Sequence, residues 1–194
     1  MPLPLKNSAD HWTYSDYLKW PDDERWEIID GVAFAMSPAP TTTHQRILRN
    51  LGFTINAHLE GKKCEMFMAP FDVRLSDNIW QSDNYVETVV QPDIVVICDQ
   101  AKIDKRGCKG APDIVIEILS PTTAAIDMKV KFDLYQRHGV REYWIIHPSE
   151  KTLLLYKLDA DGLYGKHERY VGNDKVPVPL LGDLVIDFGK VFAE

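Results

Sequence analysis

Two carboxylates stand in positions where a negative charge needs a partner. Asp93 opens one apolar run, and Glu117 lies inside a second one with isoleucine on either side. A carboxylate within such a run is costly to bury unless it is paired or binds a metal. Carboxylates at neighbouring strand ends are typical ligands of Mg²⁺ or Mn²⁺. For Asp93, bonding of local amides at the entry of a strand is an equally good interpretation.

Lys131 is predicted to point into the protein from the middle of an apolar helix face. At about 100° per residue, Leu134 and Tyr135 fall within about 60° on either side of it. Met128 and Val130 extend the same face, and charged and amide side chains fall opposite. This position predicts a buried ammonium rather than a solvated one.

The anion that pairs with this ammonium determines whether Lys131 belongs to a chemical site or to a structural ion pair. An unpaired buried ammonium is strongly disfavoured, so an anion must lie beside it. Asp93 and Glu117 are the predicted partners and would form a chemical site with Lys131. Asp127 and His138 lie on the same side of the predicted helix, and either of them would instead make a purely structural ion pair.

The order of predicted elements is typical of an α/β fold. An amphipathic helix runs from about residue 41 to about residue 60, and strands are predicted at 64–75, 91–98 and 112–119. A second helix over about 123–138 and the apolar strand EYWIIHP follow. The strands that carry the carboxylates are almost continuous β-branched runs, which indicates central strands covered on both faces. The sequence therefore predicts a central mixed sheet flanked by helices.

One domain is expected for the 194 residues, since domains commonly have about 100–200 residues. We divide it into an N-terminal helix and hairpin over 1–40, a core over 41–148 and a C-terminal β extension over 149–194. The hairpin is predicted from the Asp30-Gly31 pair, which favours a tight turn.

Composition limits the partners. The net charge of −7 argues against a protein that coats nucleic acids generally, since phosphate binding requires local positive charge. If the protein binds a polyanion, it must do so through a local basic patch or a bound cation. Lys102, Lys105, Arg106 and Lys109 form the candidate patch for nucleic-acid contact, although a solvated loop is the favoured interpretation of this segment.

No feature of the sequence predicts secretion or a membrane. No apolar run reaches about 18 residues, and the N-terminus lacks the pattern of a signal peptide. The three cysteines, Cys64, Cys98 and Cys108, are far apart and show no spacing typical of a zinc site. We therefore expect a cytoplasmic protein with no membrane partner.

Several segments resemble a known nuclease group. Pro92-Asp93 and Glu117-Ile118-Leu119 resemble the signature of the PD-(D/E)XK nuclease superfamily. The segments WEIIDGVAFAMSPAPTTTHQ, VQPDIVVICD, PDIVIEILSP, DMKVKFDLYQRHGVREYWIIHP and PLLGDLVIDF are similar to the Uma-two family of restriction-endonuclease-like proteins. The resemblance covers nearly the whole chain. It implies a restriction-endonuclease-like core with N-terminal and C-terminal β additions.

The resemblance also implies an activity and its residues. It implies a Mg²⁺-dependent endonuclease for DNA, with Mn²⁺ as an alternative cation. Asp93, Glu117 and the backbone carbonyl of Ile118 would hold the metal, and Lys131 would orient or deprotonate the attacking water. The lysine that the superfamily pattern expects two residues after Glu117 is Leu119 here. Lys131 matches the place of the lysine in branches where it has moved to the next helix.

Four further residues have weaker assignments. Glu27 and His44 are candidate accessory groups of the site, and a satisfied core histidine is an equally good interpretation of His44. Asp72 could face the site, although a strand-surface residue is the favoured interpretation, and Tyr135 is expected to pack and to form local hydrogen bonds.

Two other functions and one assembly remain open from the sequence. A nuclease-fold protein that binds or assembles without cutting would bind no metal at the two carboxylates. A small-molecule enzyme that reuses the metal site is a weaker alternative. A homodimer is predicted, with Glu142–Pro148 and the C-terminal β tail as its surface, since aromatic residues are enriched at interfaces.

Overall fold

The structure is a computed structural model that describes residues 11–21, 24–36, 40–76, 78–120 and 126–193, with residues 126 and 127 described by their backbone only. No helix in these ranges is long and apolar enough to cross a membrane. The strands are β1 (Trp26–Ile29), β2 (Val32–Ala35), β3 (Glu65–Met68), β4 (Val73–Arg74), β5 (Val89–Val90), β6 (Ile94–Ile97), β7 (Ile103–Asp104), β8 (Gly107–Lys109), β9 (Ile114–Ile118), β10 (Glu142–His147), β11 (Thr152–Lys157), β12 (Glu168–Val171), β13 (Lys175–Pro177) and β14 (Val185–Asp187). The α-helices are α1 (Tyr14–Tyr17), α2 (Thr42–Leu59), α3 (Lys131–Arg137) and α4 (Phe188–Val191).

Two six-stranded sheets form the architecture. The main sheet has the order β12-β11-β10-β9-β6-β3, and the second sheet has the order β2-β1-β5-β4-β8-β7. In the main sheet β6 and β9 are antiparallel, whereas β9 and β10 are parallel. The fold is therefore the mixed α/β arrangement expected from the sequence.

Helices cover both faces of the main sheet. On one face, Ile47 and Leu51 of α2 belong to a buried apolar cluster with Ile94 and Ile116. On the other face, Leu134 of α3 packs with apolar side chains of β6 and β9 in a second cluster, which the second sheet also joins. β6 and β9 are thus buried on both sides, which is why their sequences are almost entirely β-branched.

The predicted N-terminal hairpin and first long helix are confirmed. β1 and β2 are joined at Asp30 and Gly31, whose φ angles of 51° and 76° are those that a tight hairpin turn requires. α2 begins after Thr41, whose side chain accepts a hydrogen bond from the His44 amide at 3.2 Å. This bond satisfies one of the free amides of the first turn.

Three expectations about elements were wrong. The strand expected over 64–75 divides into β3 and β4, which belong to different sheets, with Pro70 between them. Residues 126–130 form a π-helical turn before α3, and the start of the expected helix at 123–125 lies outside the described residues. β10 is paired on both edges and its side chains are buried, so it offers no surface for the dimer expected at Glu142–Pro148.

A disulfide that the sequence did not indicate joins Cys64 to Cys98. The two residues flank the antiparallel pairing of β3 with β6, in which Glu65 lies opposite Ile97. Continuing this register by one pair places the cysteines opposite each other. Disulfides form mainly in oxidising compartments, so this pair does not favour the cytoplasm, and that location remains a prediction.

Candidate active site

The two predicted metal ligands lie at the same edge of the main sheet. Ile94 of β6 pairs with Ile116 of β9 in the antiparallel register. Continuing by one pair places Asp93 opposite Glu117. The Asp93 Oδ2 atom accepts a hydrogen bond from the Ile118 amide at 2.8 Å. The amide of Ile118, rather than its carbonyl, is therefore the group of this residue that contacts Asp93.

The side chain of Lys131 points inward as the helix pattern predicted. It is 5% exposed at the first residue of α3. Its Nζ atom donates to Glu117 Oε1 at 2.9 Å and to Glu27 Oε1 at 3.0 Å. One of the two predicted carboxylates is thus a direct partner, and the second direct partner comes from β1. The alternative partner Asp127 has its side chain outside the described residues.

Tyr135 donates a hydrogen bond to a carboxylate of the site, which is a more specific contact than the local bonding expected from the sequence. It lies one turn after Lys131, and its hydroxyl donates to Glu117 Oε1 at 2.9 Å. Burial raises the pKa of Tyr135 well above its ordinary value, and the negative charge of Glu117 raises it further. The phenol therefore stays protonated and donates to the carboxylate over the whole working pH range.

His44 approaches the site from the first turn of α2. Its Nε2 atom lies 3.1 Å from Asp93 Oδ2, and the residue is 8% exposed. Because an ionised carboxylate only accepts hydrogen bonds, Nε2 carries the proton in this contact. The other ring nitrogen, Nδ1, is a buried atom without a hydrogen-bond partner. His44 is thus a direct partner of Asp93, and this contact does not use its second ring nitrogen.

Glu27 is held in place by Gln91, the residue that follows β5. The backbone amide of Gln91 donates to Glu27 Oε1 at 2.9 Å, the same oxygen that Lys131 contacts. The Gln91 side chain donates to Asp72 Oδ1 at 2.8 Å and accepts from the Arg25 guanidinium at 2.8 Å. Sequence reasoning missed Gln91 and Arg25, and for Asp72 it favoured a strand surface over a position facing the site. No pattern marks them, because they meet only through the pairing of the second sheet.

Two tyrosines of the N-terminal segment complete this polar network. Tyr14 donates its hydroxyl to Asp72 Oδ2 at 2.8 Å, and the Gln91 side chain donates to the Tyr17 hydroxyl at 3.1 Å. Burial raises the pKa of Tyr17 to about 12, with the Asp72 charge as the next cause. The network therefore joins α1, β1 and β4 behind the carboxylates.

The four cations predicted to contact nucleic acid lie on or beside the β7–β8 hairpin, and three of them are engaged locally. Lys102 donates to the Ala111 carbonyl at 2.8 Å, and Lys109 donates to the Gln81 carbonyl at 3.1 Å. The Arg106 guanidinium donates to Asp83 at 2.8 Å. Lys105 is exposed at the hairpin turn. Contact with nucleic acid remains a prediction for all four.

A compact set of charges surrounds this hairpin, which we name the hairpin cluster: Arg74, Asp83, Asp104, Arg106 and Lys109. Arg74 is 1% exposed, and its guanidinium lies 2.5 Å from Asp104 and 3.6 Å from Asp83. It also lies over the Tyr14 ring at 5.1 Å from the centroid. Each carboxylate of the cluster has at least one cationic partner.

The candidate active site has more carboxylates than cations, whereas the hairpin cluster has more cations than carboxylates. We name the site the acid-rich cluster: Glu27, Asp93, Glu117 and Lys131. Among the described residues, Glu27 and Glu117 share the ammonium of Lys131, whereas Asp93 contacts His44 and the Ile118 amide beside them. Each of the three carboxylates is largely buried, and excess buried charge requires a proton or a cation to neutralise it. The charge of this cluster therefore favours cation binding.

The donor set of the acid-rich cluster fits a hard divalent cation. No three His, Cys, Asp or Glu side chains in the described ranges are grouped so that they alone could hold a metal. Mg²⁺ is commonly bound through one or two carboxylates, with waters and substrate phosphate oxygens as its other ligands. Both described contacts of Asp93 end on Oδ2, which leaves Oδ1 available to a cation. Two carboxylates at adjoining strand ends are thus sufficient for such a site.

Comparison with protein families gives one match over most of the chain. A model of the Uma2 family, described as "Putative restriction endonuclease", matches residues 14–189. The matched range includes every residue of the acid-rich cluster.

Known relatives and solved structures extend the comparison. The chain is 28% identical over 150 residues to an uncharacterized Synechocystis protein, slr1290, which covers 76% of this chain and 74% of that protein. It is 26% identical over 139 residues to a second uncharacterized Synechocystis protein, sll1609, with 69% and 73% of the two chains covered. A crystal structure described as "a putative nuclease belonging to DUF820" from Anabaena variabilis has a TM-score of 0.73 at 22% identity and covers 93% of this chain and 97% of that one. At this identity the structural likeness shows a shared fold.

Proposed function

Because the chain belongs to the Uma2 family of restriction-endonuclease-like proteins, we propose that it is a metal-dependent endonuclease that hydrolyses phosphodiester bonds of DNA. The observation that carries this proposal is the acid-rich cluster at the end of two central strands, in which Glu27 and Glu117 share one buried ammonium and a third carboxylate, Asp93, lies opposite Glu117 with no contact to that ammonium among the described residues. A purely structural ion pair does not need this excess of acid, whereas a site that binds a divalent cation does.

Each residue of the site has a part in the proposed reaction. Asp93, Glu117 and the Ile118 carbonyl would hold Mg²⁺ or Mn²⁺, which when bound lowers the pKa of a water and polarises a phosphoryl oxygen. Lys131 is held by Glu117 and Glu27, so its ammonium has a fixed position beside the carboxylates. From there it orients the attacking water and offsets the negative charge that develops on the phosphate.

Glu27 and His44 are proposed to position these groups. Glu27 shares the ammonium with Glu117, which limits the directions in which Lys131 can donate. His44 holds one oxygen of Asp93 from α2, while the Ile118 amide holds the same oxygen from β9. The Asp93 carboxylate is thus fixed from two elements, as a metal ligand requires.

Cleavage of supercoiled plasmid DNA tests the proposal. With Mg²⁺ or Mn²⁺, we expect Glu117→Gln and Asp93→Asn to lower the rate at least about 100-fold, since loss of a metal or transition-state contact commonly costs this much. Glu142→Gln is the matched control, because Glu142 is a buried carboxylate on β10 that accepts from Trp144 and lies outside the cluster. Equal residual rates in the wild type and both site variants would reject the endonuclease and support a binding or assembly protein.

The homodimer remains part of the proposal, because two sites would suit cleavage of both strands. Light scattering after size exclusion distinguishes a dimer from the 22.2 kDa single chain. A single species at the mass of one chain would reject it.

A further inference from the structure

We propose that the groove between α2 and β3 binds an unpaired nucleobase of the substrate, next to the phosphate that is cleaved. This proposal rests on the proposed function, because it names the substrate class of the same site as nucleic acid with unpaired bases. The groove has a volume of about 480 Å³, within the range of pockets that hold small ligands.

The walls of the groove suit a base. Phe53 projects from α2 with 74% of its surface exposed, so its ring is available for stacking. Met66 and Met68 of β3 form an apolar floor, and Gln45 and Asn56 add amides. Unpaired bases are commonly held by stacking on aromatic side chains and by hydrogen bonds to their edges. Each of these contacts is available here from a separate side chain.

The charge of this face suits the phosphate that accompanies a base. In a chain with a net charge of −7, α2 contains no aspartate or glutamate, and the groove is lined by no acidic residue. Arg49 lines the groove and donates only to the neutral amide of Asn50 among the described contacts. Its positive charge is therefore not paired with a carboxylate and can serve a phosphate.

The groove opens beside the acid-rich cluster. Met68 lies opposite Ile94 in the β3–β6 register, and the Ala69 amide donates to the Asp93 carbonyl at 3.1 Å. Gln45 follows His44, whose ring contacts Asp93. A strand whose phosphate lies at Asp93 would thus bring the adjacent base to the end of the groove. This continuity favours a nucleotide over a protein partner as the occupant.

Binding to labelled oligonucleotides without divalent metal tests the proposal separately from cleavage. The probes are a fluorescein-labelled single strand of about 12 nucleotides and its duplex, measured by anisotropy in EDTA. We expect the wild type to prefer the single strand and Phe53→Ala to weaken that binding by about tenfold, since base stacking has effects of this size. Phe53→Tyr should retain the binding, and Phe53→Leu should lose it, because only the tyrosine preserves a ring.

Controls of the same chemistry come from other surfaces. Trp80 is 82% exposed in the segment between β4 and β5, and Trp80→Ala should change the affinity less than about twofold. Arg49→Gln should lower the affinity, and it should reduce by about one the slope of the logarithm of the binding constant against the logarithm of the salt concentration. Arg169→Gln is the control, because Arg169 lies on β12 at the opposite edge of the main sheet, and this variant should change neither quantity.

Four results would overturn the inference: no binding by the wild type, preference for the duplex, unchanged affinity in Phe53→Leu, or a Phe53-dependent dimer with unchanged affinity for the oligonucleotide. The last result would assign the groove to contact between two copies of the chain. A failure of the endonuclease proposal alone gives a different result: the wild type would not cleave DNA, but Phe53→Ala and Phe53→Leu would still weaken its binding to the single strand.

Discussion

The acid-rich cluster and the hairpin cluster each contain one buried cation but have opposite balances of charge. The acid-rich cluster has three carboxylates and one ammonium, which contacts two of them, whereas in the hairpin cluster three cations contact Asp83 and Asp104. Arg74 and Lys131 are both almost fully buried. Burial of a charged group therefore does not by itself indicate a reactive site in this molecule.

The difference lies in what each cluster still requires. Every carboxylate of the hairpin cluster already has a cation, so this cluster can act as a structural anchor for β7 and β8. The acid-rich cluster has excess negative charge among the described residues, and such an excess is costly unless a cation joins it. The balance of charge thus indicates which of the two clusters performs chemistry.

Replacement of the single ammonium should have the largest effect on stability. Lys131→Met leaves Glu27 and Glu117 buried without their cation, and we expect a loss of about 3–5 kcal/mol in the free energy of unfolding, measured with urea. Millimolar Mn²⁺ should restore part of it, because the metal replaces the missing positive charge. A loss below about 1 kcal/mol would show that the two carboxylates do not depend on Lys131.

Addition of a divalent cation should distinguish the clusters next. At about 100 times its dissociation constant, Mn²⁺ should stabilise the wild type by about 2–3 kcal/mol in thermal unfolding. Asp93→Asn and Glu117→Gln should lose this stabilisation, and Asp83→Asn in the hairpin cluster should keep it. Equal shifts in all four proteins would place the cation somewhere other than the acid-rich cluster.

Removal of one hydroxyl should have an intermediate effect. Tyr135→Phe removes a donor to a buried carboxylate, with an expected loss of about 2 kcal/mol. The pKa of Tyr135 is raised well above its ordinary value, so the loss should be the same at pH 6 and at about pH 9.

The matched control for this prediction is Tyr164→Phe, because Tyr164 donates to the neutral carbonyl of Val140 at 2.8 Å. Its loss should be about 1 kcal/mol, as is usual for a neutral pair. Equal losses in the two variants would contradict a stronger hydrogen bond at Tyr135 than at Tyr164.

The smallest effect is expected from Asp104→Asn, and it should depend on pH. Burial raises the pKa of Asp104, but hydrogen bonds from Arg74 and the Arg106 amide outweigh it and leave the pKa below its ordinary value. The carboxylate therefore stabilises the fold above about pH 4, and this contribution is lost as the pH falls through the folded pKa. Because the Asp104 side chain is 45% exposed, we expect about 0.5 kcal/mol at pH 7 and no difference at about pH 2.

The sequence predicted the parts of the site that depend on local pattern. Lys131 lies in a regular helix, so its phase could be read from the spacing of its neighbours. Met128 and Val130 were expected on the same buried face, but they are 46% and 38% exposed because residues 126–130 form a π-helical turn with a different phase. Tyr135 had a usable signal, since it lies four residues after Lys131, where side chains on a helix meet.

Contacts between distant segments could not be predicted in this way. Glu27 and Gln91 meet because β1 pairs with β5, where Ile28 lies opposite Val89, and neither local sequence contains that information. The basic segment at 102–109 read as a loop, whereas its β7–β8 hairpin and its partner Asp83 depend on the second sheet. Strand pairing at long range is therefore the part of the fold that composition and periodicity leave open.

Glu27 and Lys131 are 104 positions apart, so the residues of the acid-rich cluster are synthesised at very different times. During synthesis the carboxylates of β1 and β9 leave the ribosome before the amine that joins them. A nascent chain that ends before α3 contains the three carboxylates of the acid-rich cluster but lacks the Lys131 ammonium that neutralises part of their charge. We expect C-terminal truncations before residue 131 to be captured by chaperones or proteases, whereas the hairpin cluster is already complete in the same fragments.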